Sequence, residues 1–119
     1  MSDKQSSEIQ GVARFTFHEG KVEEFKRLCT EFIDIVRAED TGTLQFEIYL
    51  SDDESECIVY ERYRDSDALI DHGAHVGAIM PAIVATGSAS SALLGEPSAE
   101  LAAMMAGGPV TVFRPFLSM

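Results

Sequence analysis

The sequence has no tryptophan, only two cysteines, and nine lysines and arginines against twenty aspartates and glutamates. Each shortage excludes something. Two cysteines without a spacing motif build neither a disulfide framework nor a paired redox centre. A formal net charge of −11, with the basic residues scattered, leaves no stripe that could neutralise a row of phosphates. Nucleic acid and anionic membranes are therefore disfavoured as partners. No apolar run approaches the ~20 residues that cross a bilayer. The opening MSDKQSSEIQ has no apolar signal core, so the expected location is the cytoplasm. Cys29 and Cys57 are then expected as reduced thiols that pack as small apolar residues. The patterns GxGxxG, GxxxxGK[ST] and GxSxG are also missing, which leaves nucleotide binding and serine hydrolysis without support.

What is present is an ordinary globular mixture, 45% hydrophobic and 24% charged over 119 residues, enough for one modest core. Residues 1–9 read as a flexible tail. GVARFTF alternates with period two and predicts a strand. From Lys21 to about Ala38, Val22, Phe25, Leu28, Phe32, Ile35 and Val36 recur every three or four positions and predict an amphipathic helix. Thr41-Gly42 stops it, Gly42 being suited to a left-handed cap. TLQFEIYL and CIVYERY, joined by the polar SDDESE, predict a hairpin.

Asp65 or Ser66 caps the next helix, which carries Ala68, Leu69 and His72 and is expected to bend or break near Gly73. Helical character resumes in AIMPAIVA. SASSALLGEP is β-like at its centre, SAELAAMMA is a short helix capped by Ser98, and VTVFRPF is a last strand at a sheet edge, since Pro115 cannot donate to a ladder. The order β-α-β-β-α(α)-β, with a small helix and a strand appended, predicts an α+β fold of the ferredoxin-like, split βαβ type with an antiparallel sheet. One face of that sheet should carry the helices. The other should be mixed, bearing Gln45, Glu47 and Tyr49 beside Cys57, Val59, Glu61 and Tyr63 or beside the register partners of these. A mixed face suits a second sheet packed on it, or solvent.

Three histidines are present, His18, His72 and His75. The last two, at i and i+3, can share a helical face, but a metal site needs a third ligand and none is at hand, so no metal is expected. His72 follows the apolar pair Ala68-Leu69 by one turn and is placed at or beside the face that meets the sheet. There it is either a general base on the wall of a cavity between helices and sheet, or a core-edge histidine satisfied by a backbone carbonyl. His75 reads as a rim residue and His18 as a loop residue.

Four motifs in order carry a family resemblance: G-x-x-x-E-F at Gly20 to Phe25, G-x-L-x-[FY]-E at Gly42 to Glu47, E-x-[WY]-x-[DS] at Glu61 to Asp65, and A-L-x-x-H at Ala68 to His72. Together, over roughly residues 11–77, they resemble the antibiotic biosynthesis monooxygenases, a family of dimeric α/β barrels. The resemblance implies a single domain over residues 10–119, including a C-terminal extension at 87–119, and a homodimer formed sheet against sheet. It also implies cofactor-independent oxygenation of a quinol, polyphenol or polyketide-like aromatic, with a small aromatic molecule as ligand. By that likeness His72 is the catalytic base or a hydrogen-bond donor, Tyr63, Tyr49 and Glu61 contact substrate, and Arg14 balances negative charge unless it forms a surface ion pair. The strand-end aromatic is Tyr63 where haem-degrading members carry Trp, which argues against haem degradation. A non-catalytic small-molecule-binding protein and a non-oxidative isomerase or cyclase are the alternatives.

Overall fold

A computed structural model of the chain describes residues 7–119; the greater part of the expected tail, residues 1–6, lies outside the described residues. The first strand, β1, is Ile9–Phe17. It begins earlier than GVARFTF suggested, because Ile9 is fully buried. A turn with Gly20 at φ 78° leads into the helix α1, Val22–Glu39. Its stripe Phe25, Leu28, Phe32 and Val36 is buried against the sheet.

The hairpin follows as β2, Thr43–Leu50, and β3, Glu56–Tyr63. The helix α2, Ser66–Val76, is capped by Asp65, whose side chain accepts from the Ala68 amide. It runs unbroken through Gly73, contrary to the sequence expectation. The interruption comes after Val76, before the short α3, Met80–Val84. Burial of Ala68, His72 and Val76 on one side holds the helix together, and packing outweighs the roughly 1 kcal/mol that an interior glycine costs. Gly42 also differs from expectation. It is not among the glycines of positive φ; a Cβ there would stand 2.4 Å from Ala68 Cβ. Its role is to let α2 approach the end of α1.

SASSALL forms β4, Gly87–Leu94; α4 is Ala99–Met105, with Ser98 accepting from the Leu101 amide; β5 is Val110–Phe113. The sheet order is β2-β3-β1-β4-β5. The first four strands pair antiparallel, in the ferredoxin-like arrangement, and β5 adds parallel to β4 across α4. This places β5 at the edge, as expected, with Pro115 just beyond it.

Register settles which residues face the helices. Phe15 is paired with Cys57, Ala13 with Val59, Gly11 with Glu61 and Ile9 with Tyr63. Phe15 and Cys57 belong to the core under α1, so all of these point toward the helices. The opposite face carries Gln45, Glu47 and Tyr49, whose partners are Arg62, Tyr60 and Ile58. The mixed face is therefore built with the register partners of Cys57, Val59, Glu61 and Tyr63. Cys29 and Cys57 are free thiols inside the core; burial pushes Cys29 up to about 12 and Cys57 up to about 11.

Candidate active site

A cleft of about 570 Å³ lies between α2, α4 and the middle of the sheet. Small side chains create it. Gly11, Ala13 and Ser91 are neighbours on the helix-facing side of β1 and β4, and Gly73 and Ala74 lie opposite on α2. Where five positions in a packed layer carry so few atoms, the two layers cannot close. Leu93 and Leu101, from a second and smaller core cluster, form one wall, and Met104 and Met105 of α4 another. Among the lining residues, Glu61 alone has a titratable side chain.

Glu61 does not stand alone. The Tyr63 hydroxyl donates to its Oε1 at 2.5 Å. Two positions apart on one strand, the two side chains share a face. Tyr63 is fully buried and does not line the cleft. Burial first, and then the charge and hydrogen bond of Glu61, push its ionisation far up, so it remains a neutral donor. Tyr63 therefore reaches the cleft through Glu61, not directly as the sequence suggested.

His72 is placed differently from expectation. It is buried, and it is not among the residues that line the cleft. Its ring packs against Phe32, Phe46 and Tyr63, with centroids 5.5, 5.8 and 5.2 Å away. Its Nδ1 lies 2.7 Å from Asp40 Oδ2, while His75 Nδ1 lies 2.6 Å from Asp40 Oδ1 and the Thr43 hydroxyl donates to Oδ2 at 2.7 Å. The carboxylate can only accept, so Nδ1 carries the proton on both rings. His72 is thus satisfied by a side-chain carboxylate in place of a backbone carbonyl. His75 is its partner in the same clamp and not a bystander at the rim. Asp40 was missed by the sequence reading: it follows Glu39 at a helix end like any solvated acid, and the histidines it meets are 32 and 35 residues away.

Arg14 and Tyr49 lie on the other side of the sheet. Arg14 Nε and Nη2 hold Glu56 at 2.7 and 2.9 Å, and the Tyr49 hydroxyl donates to Glu47 at 2.8 Å. The sheet separates both from the cleft. Of the five residues singled out in the sequence, only Glu61 lines it, with Tyr63 directly behind. The α4 wall was not anticipated; the apolar run LAAMM was its one signal.

The sequence profile described as antibiotic biosynthesis monooxygenase matches residues 11–77. The chain belongs to this family. The matched span runs from the third residue of β1 to just past the end of α2 and includes Glu61, Tyr63, Asp40 and both clamp histidines; β4, α4 and β5 lie beyond it. No functionally curated sequence matches the chain. Among solved structures, MupZ from Pseudomonas fluorescens shares the fold with a TM-score of 0.83 at 18% identity, over 94% of this chain and 93% of that one. SnoaB from Streptomyces nogalater, a cofactor-independent oxygenase, gives 0.66 at 20% identity, over 77% and 95%. Rv0793 from Mycobacterium tuberculosis gives 0.67 at 25% identity, over 77% and 97%. In this family member, then, the helix-facing cleft and the histidine clamp are separate constructions that meet at Tyr63.

Proposed function

We propose that the protein is a cofactor-independent monooxygenase that takes a quinol or other polyphenolic aromatic into the cleft and works as a homodimer. One observation carries the reading: an apolar cleft of about 570 Å³ contains a single carboxylate, Glu61. Its size is within the range of about 300–1,000 Å³ usual for small-ligand sites. Apolar walls suit fused rings, and Glu61 can accept a hydrogen bond from a phenolic hydroxyl. Such substrates can reduce O₂ once deprotonated, so the chemistry asks the protein for a dry pocket and a proton acceptor. Family membership and the fold shared with SnoaB support the same reading. Tyr63 orients Glu61, and His72, locked to Asp40, holds the Tyr63 ring; Arg14 and Tyr49 lie on the face offered to a second sheet.

The position of His72 favours a second reading, a binding protein without turnover, because the histidine expected to act as base is committed elsewhere. Oxygen uptake by metal-stripped protein on hydroquinones and on dithranol, an anthrone, separates the two. Uptake well above the autoxidation blank supports oxygenation. Tight binding with uptake at the blank supports the binding protein, and a new product formed without O₂ consumption supports an isomerase or cyclase.

A further inference from the structure

Resting on the oxygenase reading, we infer that the group that accepts the substrate proton is Glu61, held by Tyr63, and that His72 is a positioning residue. Proton transfer needs a heavy-atom approach of about 2.6–3.2 Å, directly or through one water. Glu61 lines the cleft, and its side chain faces the helices on the same side of the sheet, so a molecule there lies within reach of its carboxyl group. His72 is 6% exposed, outside the lining, and its protonated Nδ1 is spent on Asp40.

The pair is also built for the task. The Glu61–Tyr63 hydrogen bond uses one carboxylate oxygen, Oε1, and leaves Oε2 for a ligand. Tyr63 cannot move aside: it is fully buried and its ring lies against His72. On the other flank, Gly11 stands opposite Glu61 in the β1–β3 register, where a Cβ would meet Glu61 Cδ at 3.7 Å. The carboxyl group is thus hydrogen-bonded by Tyr63 on one side and faces a backbone position without a side chain on the other. The geometry fixes a carboxylate on the apolar wall beside which a substrate would lie, the positioning that general-base catalysis draws on.

The methylene carbon of an anthrone gives its proton to Glu61 Oε2, and the C–H electron pair stays on the carbanion. The carbanion passes one electron to O₂, and the resulting radical pair joins to form a C–O bond. The peroxide anion takes the proton back from Glu61. The hydroperoxide then loses water, leaving a carbonyl. One O₂ is consumed per anthrone, one oxygen atom enters the product and the other leaves as water. Glu61 ends as it began.

The experiment uses the full chain and two probes, dithranol for turnover and alizarin, a hydroxyanthraquinone that cannot undergo the reaction, for binding. Glu61→Gln retains an acceptor for the Tyr63 hydroxyl and preserves the fold; Glu61→Asp supplies a second test in which the carboxylate is kept but withdrawn. We expect kcat on dithranol to fall about 10²–10⁴-fold in Glu61→Gln with KM changed far less, and the acid limb of the pH profile to disappear. In His72→Gln the acid limb should remain even where kcat falls. Alizarin bound to the wild type should ionise at higher pH than when bound to Glu61→Gln, because a neighbouring carboxylate opposes a phenolate. Alizarin that binds both proteins and ionises at the same pH overturns the assignment of Glu61 while leaving the oxygenase reading intact. Loss of the acid limb in His72→Gln also overturns it. No uptake on dithranol or any hydroquinone, with no binding of alizarin, defeats the oxygenase reading itself and this inference with it.

Discussion

His72 Nδ1 lies 2.7 Å from Asp40 Oδ2, with side chains 7% and 3% exposed. The contact ties the C-terminal end of α1 to the middle of α2, and His75 closes on the other oxygen of the same carboxylate. A buried acid with three donors is a fixed point, because any helix displacement leaves one of the three donors without its acceptor.

The clamp makes stability depend on pH. The hydrogen bond to Asp40 holds His75 above its ordinary value, against some burial and with help from the charges of Asp40, Glu39 and Asp71. Its contribution is complete below about pH 6.5 and is lost as pH rises through the raised value. For Asp40, burial acts upward, but hydrogen bonds from His75, Thr43 and His72 outweigh it and hold the carboxyl below the usual range. That contribution is complete above about pH 4 and is lost as pH falls through the lowered value. Urea midpoints should therefore peak between these limits and decline on the alkaline side. In His75→Gln the alkaline decline should flatten; an unchanged decline would place its origin elsewhere.

Asp40→Asn should destabilise the fold by about 1–3 kcal/mol, since an amide can accept from one histidine but presents a donor to the other. Urea denaturation measures it directly. A change within error would mean that the donors find other partners, and that the clamp is geometry without energy.

Gly42→Ala tests the close approach of α2. The added Cβ would stand 2.4 Å from Ala68 Cβ, closer than packed carbons tolerate, and overpacking of this kind costs about 1–3 kcal/mol. The companion change Ala68→Gly removes the clash. The double variant should recover more stability than the two single changes predict by addition. Additive losses would show that Gly42 is needed for its backbone and not for space.

Much of this was legible in the sequence because the signals were periodic. The alternation in TLQFEIYL and the stripe from Phe25 to Val36 each report a local geometry, and both elements formed where the pattern placed them. The face of the hairpin was not legible. Period two separates Cys57, Val59, Glu61 and Tyr63 from Ile58, Tyr60 and Arg62, but both sets mix apolar and polar groups. Only pairing of Phe15 with Cys57 under α1 decides which is inside. The same holds for the site. Glu61 and Tyr63 were named, yet their hydrogen bond follows from that parity. Asp40 meets its histidines only after α1 and α2 pack, and no short-range pattern encodes a contact 32 residues long.

Gly73 gives the converse case, in which local propensity misled. The helix continues through it because neighbouring turns are buried, and a Cβ there would meet nothing within 4 Å. Gly73→Ala should then stabilise the protein by about 0.5–1 kcal/mol, the helix-propensity difference. Because Gly73 lines the cleft, the same variant should weaken alizarin binding modestly. A loss of stability would mean that the helix needs freedom at this point.

The outer face of the sheet carries the last prediction. Rows run across it as Tyr49, Ile58, Arg14 and Ser90, and as Glu47, Tyr60, Val12 and Ala92. Tyr49 is 58% exposed and Ile58 38%, and no helix among the described residues covers them. Apolar groups in the middle of such a face, with the Arg14–Glu56 and Arg62–Glu8 ion pairs toward its two ends, resemble an interface core flanked by polar groups. The proposed homodimer buries this face, so the protein should sediment at twice the chain mass at micromolar concentration. Ile58→Asp puts a charge in the centre, where it would meet its own copy or a desolvated wall, and should shift the equilibrium to monomer with the secondary structure unchanged by circular dichroism. A wild-type chain that sediments as a monomer would assign the face to solvent. A dimer indifferent to Ile58→Asp would move the contact to another surface.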